Sequence, residues 1–382
     1  MKYFEYYVSN TIAGSANHLF FTMEEGEVRT GRVFYKITVG GEYDYSILYS
    51  NIMDSTFSIG DVSHQNLICD SWTIHSARVG VCKAIPQDKD VMQMTMADVE
   101  EDKDADIIVS DFRNLTFSSN LSKEVMPGEF FATDPIKLSF EKGDFMCIEM
   151  TYSGTIIPYH ENSILPIYNK TEQGWEFCKE MPVAGMIGCN REVVRKIGFL
   201  GDSITQGIGT EYNAYAHWNA LLTEKIGEDF GCWNLGIGYA RANDAASDSA
   251  WMYKVKHNDI VVMCLGINDI GRGFPVAQIE KDLTTVLHIL QKAGIKVVLQ
   301  SLPPYSGMSE TEISKWKQVT AYIKNVLAPQ ADLFFDVAPH LFVSEETPTE
   351  SLYNPHPNAA GCAVWAEALY EEMKDFLKKE IE

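Results

Sequence analysis

The chain has 382 residues, 46% of them hydrophobic and 22% charged, which is ordinary for a globular protein and long enough for two domains. Fifty-three acidic residues against 31 basic ones leave a formal charge of −22, which argues against nucleic acid or an anionic membrane as partner, since both call for Lys/Arg-rich surface. No run of about 18 apolar residues is present, as a spanning helix would need, and the opening MKYFEYYVSNTIAG lacks the apolar centre of a signal peptide.

Residues 1–190 read as short strands and turns. YDYSILYS, WTIHSARVGVC, PIKLSF and DFMCIEMTYS alternate or run apolar, rich in aromatic and β-branched residues. Polar and glycine clusters such as VGGEYD and EKGD interrupt them. Strand-like segments at roughly even spacing, with no long helix, predict a β-sandwich. The acidic run DVEEDKDADI, Asp98 to Ile107, is expected to be a solvated loop.

Residues 191–382 change grammar. KIGFLG, CWNLGIG, DIVVMCLGIND, KVVLQSLPP and DLFFDV predict strands. Between them AYAHWNALLTEKIG, NDAASDSAWMYK, PVAQIEKDLTTVLHILQKAG and ETEISKWKQVTAYIKNVLA predict helices. In a last helix Trp365, Leu369, Met373 and Phe376 share one face, with Asn358 as its N-cap. The alternation predicts an α/β domain with a parallel sheet covered on both faces. Ligands then bind at the carboxyl ends of the strands.

Four turns at those ends carry chemistry. In GDSITQG, Ser203 sits in a strand-to-helix turn, where a hydroxyl projects into the cleft and backbone N–H groups face developing negative charge. Serine is also a common N-cap, so the turn alone does not decide. Gly236 and Gly238 of NLGIGYAR permit close backbone approach to a ligand. Asn268 of LGIND offers an amide donor. His356 lies in the loop before the last helix. Each of these residues taken singly has an ordinary structural explanation; the conjunction, in this order and at these strand ends, is the specific signal. The eight scattered cysteines show no zinc-ligand spacing and read as free buried thiols in a reducing cytoplasm.

From about Arg195 to its end the chain resembles an SGNH hydrolase of the GDSL esterase/lipase superfamily. The resemblance implies a flavodoxin-like, three-layer α/β/α domain, here preceded by a jelly-roll-like β-sandwich. It implies Ser203 as nucleophile, His356 as general base, and an oxyanion hole formed by the Ser203 N–H, Gly238 and Asn268. Relatives commonly read NLGISGNR where this chain has NLGIGYAR, so the oxyanion glycine can instead align with Tyr239, whose backbone N–H could donate. Asp202 and Asp269 are expected to be structural hydrogen-bonders.

One position departs from the family. Members commonly carry D-x-x-H, with the aspartate holding the histidine, and here Tyr353 stands in its place. Tyrosine is neutral at pH 7. Three readings stay open. The first is a Ser–His dyad oriented by a backbone carbonyl or neutral side chain. The second is a substitute carboxylate, Asp336, Glu345, Glu346 or Glu350. The third is a degraded site that only binds. The resemblance to two-domain bacterial carbohydrate esterases implies a serine esterase for small O-acyl, mainly O-acetyl, esters of sugars. A lipid or thioester acyl hydrolase and a non-catalytic sugar-binding protein are the alternatives. No metal or cofactor is expected, and the partner is a small-molecule ester.

Overall fold

A computed structural model of the chain describes residues 2–17, 19–54, 67–83, 85, 107, 109–160, 165–178, 180–211, 213–343 and 356–382. Most of the acidic run from Asp98 lies outside them, as do Glu345, Glu346, Glu350 and Tyr353. Two compact units divide the chain near Val193.

The first unit is built of antiparallel strands. In one sheet Gly41–Ser50 pairs with Met186–Cys189, Phe130–Ala132 and Ile136–Phe140, and Val8–Ser9 pairs with Met186–Cys189. In a larger sheet Phe145–Gly154 runs between Arg29–Lys36 and Trp72–Cys82. Val33, Ile148 and Val79 stand in register across these three strands, and all three are fully buried. Aromatic and β-branched side chains fill the inner faces, as a sandwich requires. Its helix, Tyr3–Tyr6, is a single turn.

In the second unit, strands β1 (Arg195–Gly201), β2 (Phe230–Asn234), β3 (Ile260–Cys264), β4 (Lys296–Gln300) and β5 (Leu333–Phe335) form a parallel sheet. Their order is β2-β1-β3-β4-β5, the doubly wound flavodoxin-like order, in which the chain reverses direction on either side of β1. β3 reads IVVMC and every residue of it is buried, as expected of a strand covered on both faces. The helices, in chain order, are α1 (Ser203–Gln206), α2 (Trp218–Ile226), α3 (Ala242–Ala246), α4 (Ala250–Val255), α5 (Ile267–Gly271), α6 (Val276–Lys292), α7 (Glu310–Tyr322), α8 (Ala338–Leu341) and α9 (Ala359–Ile381). α2 packs against α9, while α3 and α7 pack against α6.

Trp218 of α2 stacks on Trp365 of α9, ring centroids 5.1 Å apart. The Trp365 indole N–H donates to Gln300 Oε1 at 2.7 Å, which ties α9 to the end of β4. The Asn358 side chain accepts from the Gly361 N–H at 3.0 Å and caps α9. The buried face of α9 runs through Trp365, Leu369, Met373 and then Leu377. Phe376, expected on that face, is only half-buried.

The segment NDAASDSAWMYK forms two short helices rather than one. Asp248 between them takes φ +54°, which a helix cannot contain. LGIND likewise leaves the strand at Cys264, and Asn268 sits in α5.

Candidate active site

Ser203 follows β1, the strand flanked on both sides, so the loops after β2 and β3 lie to either side of it. Asp202 is the N-cap of α1, with extended backbone and its carboxylate accepting from the Ile204 N–H at 3.0 Å. Two glycines let the turn close. A Cβ on Gly201 would meet Thr205 Oγ1 at 2.0 Å, and one on Gly236 would meet the Gln206 nitrogen at 2.3 Å. The loop after β2 thus lies directly against the nucleophile turn.

Ser203 Oγ stands 2.9 Å from His356 Nε2. The two residues are 153 positions apart in the chain, and the fold joins them because His356 enters the sheet's carboxyl edge just before α9. The ring is half-buried, and its Nδ1 is sealed from solvent with no hydrogen-bond partner among the described residues. Burial pushes the imidazole down to about 4, so it is neutral at pH 7 and its Nε2 is able to take a proton. Among the described residues, no charged neighbour contributes to that shift. Asp336 is engaged elsewhere: its carboxylate accepts from Ser301 Oγ at 2.7 Å and pairs with Lys324 at 2.5 Å. Among the described residues, then, no carboxylate orients His356.

The loop carrying Gly238 is clamped by neighbours from α5. Residues Ile237–Ala240 form a turn closed by the Ala240 N–H on the Ile237 carbonyl at 3.2 Å. Asn268 donates its side-chain amide to the Ala240 carbonyl at 3.0 Å, and Asp269 accepts the Ala242 N–H at 2.9 Å. An amide nitrogen carries two hydrogens, so this bond leaves Asn268 a second one. Among the described residues, neither the Ser203 nor the Gly238 N–H donates to another protein group. Tyr239 has φ +61°, the conformation a glycine adopts without cost. This fits the alignment that sets the family glycine at Tyr239.

Asp202 and Asp269 are both buried. Desolvation pushes Asp202 up to about 7 and Asp269 up to about 6, and Asp269 raises Asp202 further by like-charge repulsion. Both hold backbone N–H groups of the site loops, the structural role expected of them.

Sequence reasoning missed Gly209. It has φ +97°, and a Cβ there would lie 2.6 Å from the His356 Cβ. The signal was present as the second glycine of QGIGT, but nothing in the sequence says which distant residue it faces. No group of three or more metal-ligating side chains occurs among the described residues.

Residues 199–364 match the GDSL-like Lipase/Acylhydrolase family, a span that contains Ser203, Gly238, Asn268 and His356. An uncharacterized protein of Mycoplasma pneumoniae is 28% identical over 141 residues, 34% of this chain. The match spans 16% of the length of that relative. Similar solved structures include the psychrotrophic esterase EstA from Pseudoalteromonas sp., at 19% identity and TM-score 0.39, with 48% of this chain and 98% of that one covered. A carbohydrate acetylesterase family member from Sinorhizobium meliloti is 17% identical at TM-score 0.39, over 48% of this chain and 99% of that one. An acetyl xylan esterase, AlAXEase, is 22% identical at TM-score 0.37, over 46% and 98%. Over residues 199–364 the chain carries a domain of the GDSL-like lipase/acylhydrolase family.

Proposed function

We propose that the protein is a serine esterase that hydrolyses small O-acyl esters, chiefly O-acetyl groups on carbohydrates, through an acyl-enzyme on Ser203. The observation that carries this reading is the 2.9 Å approach of Ser203 Oγ to His356 Nε2 at the carboxyl end of the flanked strand. His356 Nε2 takes the hydroxyl proton as Ser203 Oγ bonds to the ester carbonyl carbon. The tetrahedral oxyanion is met by the Ser203 and Gly238 N–H groups and the second amide hydrogen of Asn268, with the Tyr239 N–H next to Gly238 in the same turn. His356 returns the proton to the departing alcohol. A water then attacks the acyl-enzyme, giving its proton to His356, and Ser203 leaves with that proton as free acid forms.

The dyad reading draws support from desolvation as the cause of the His356 shift and from the engagement of Asp336 with Ser301 and Lys324. The carbohydrate part rests on architecture, an antiparallel β unit ahead of the α/β unit in the chain, as in the carbohydrate esterases the chain resembles. The test is acetate release from p-nitrophenyl acetate and acetylated sugars by the full chain, with fluorophosphonate labelling of Ser203. Ser203→Ala should abolish both. No release and no label in the unsubstituted protein would overturn the esterase reading.

A further inference from the structure

Tyr239 holds a conformation that disfavours side chains, φ +61°, yet its ring is not stored in the core. It is 48% exposed, so burial does not offset the strain. A glycine would fill the same backbone position at no steric cost, and the tyrosine puts a ring at this turn instead. The guanidinium of Arg272 lies over it, 5.8 Å from the ring centroid. Arg272 is exposed at the end of α5. Among the described residues no carboxylate pairs with it, in a chain of net charge −22. The two side chains come from the loop after β2 and the helix after β3, the segments on either side of Ser203. The Tyr239 turn is itself pinned by Asn268 through the Ala240 carbonyl. A rigid turn thus presents an aromatic face and an uncommitted cation together, beside the oxyanion donors.

We infer that Tyr239 and Arg272 bind the alcohol side of the ester, and that this alcohol is a sugar carrying an anionic group. The apolar C–H face of a pyranose lies on the exposed part of the Tyr239 ring, and the Arg272 fork meets a carboxylate or phosphate on the sugar. The inference rests on the esterase reading above and narrows it to O-acylated acidic sugars.

The full chain is assayed on O-acetylated methyl glucoside, the corresponding glucuronide, the corresponding glucose phosphate and p-nitrophenyl acetate. The unsubstituted protein should favour an anionic sugar over the neutral one by about tenfold in kcat/KM, and the preference should shrink as salt rises past about 0.1 M. The glucuronide and phosphate arms tell which anion is meant. Arg272→Gln should bring the ratio of anionic to neutral sugar to about one. Tyr239→Gly, which relieves the backbone strain, should raise KM on both sugars, the loss falling on KM rather than kcat. Thermal melts of both variants check that they are folded. Equal rates on neutral and anionic sugars, or a preference that survives Arg272→Gln, would overturn this inference while leaving the esterase reading intact. If no ester at all is cleaved and Ser203 takes no label, the esterase reading falls and this one with it.

Discussion

A Cβ added to Gly209 would lie 2.6 Å from the Cβ of His356 and 2.9 Å from the carbonyl oxygen of Pro357. The backbone of one residue is therefore the seat of the other. With no described carboxylate to hold the ring, packing at this contact takes over part of the positioning that an aspartate supplies in a triad. In the proposed dyad Gly209 is a positioning residue, acting on the substrate only through His356.

The first prediction is Gly209→Ala. The added methyl cannot fit without moving the histidine or the loop, and φ +97° strains any side chain. Displacing a catalytic base by about 1 Å costs on the order of 10²-fold. We expect kcat to fall about 10–100-fold with KM little changed. A purely structural role would instead lower the melting temperature and leave the turnover of the folded fraction intact. Steady-state kinetics and a melt on one preparation distinguish the two outcomes.

The second prediction concerns the buried carboxyl beneath the nucleophile. Folded Asp202 holds its proton up to about pH 7, whereas an unfolded aspartate releases it near pH 4. Between those values the unfolded state binds fewer protons, so stability falls as pH rises through this window and the penalty is complete above about pH 7. Asp202→Asn keeps an oxygen for the Ile204 N–H, and asparagine is a good N-cap. It should therefore stabilise the protein at pH 8, on the order of 4 kcal/mol, and give almost nothing at pH 4. Melting curves at the two pH values decide it, and an equal gain at both would remove the protonation argument.

Why was so much of this site legible in the sequence, and why not the rest? Ser203, Asn268 and His356 were readable as candidates because their order after the predicted strands resembles that of the SGNH hydrolases, and parallel α/β connectivity brings strand ends together. Asn358 was readable because a cap is a local interaction, completed within three residues at Gly361. Gly209 was not, because its partner is 147 positions away and only the fold sets them side by side. The two-helix form of NDAASDSAWMYK was hidden too. Its composition suits a helix, and the break depends on a single backbone angle at Asp248. The Asn268 and Asp269 clamp on the loop after β2 was half-visible: the residues stood out, but their acceptor and donor on Ala240 and Ala242 did not.

The third prediction separates the remaining readings of the missing acid. Asp336 spends its carboxylate on Ser301 and Lys324. Asp336→Asn should leave kcat within about threefold of the unsubstituted value and act mainly on stability, since exposed and half-exposed ion pairs contribute about 0–1 kcal/mol. A loss of kcat near 10⁴, as when a triad aspartate is neutralised, would make Asp336 the substitute acid and retire the dyad.

The last prediction follows from the imidazole itself. Desolvation lowers the folded His356 to about 4, and among the described residues no anion lifts it. Protonation at Nε2 blocks the base, so activity should be present above that value and lost as pH falls through it. The acid limb of kcat/KM is thus expected between about pH 4 and 5, well below the 6.5 of an ordinary histidine. A triad carboxylate would move the limb the other way, because a negative charge favours the imidazolium. Asp202 titrates closer to neutrality, so the profile is best taken in both the unsubstituted protein and Asp202→Asn. An acid limb near pH 6.5 to 7 that persists in Asp202→Asn belongs to His356, and it would mean that a carboxylate does face the ring in the working enzyme. A limb near pH 4 to 5 in both proteins leaves Ser203 with a neutral partner that burial, not charge, has prepared.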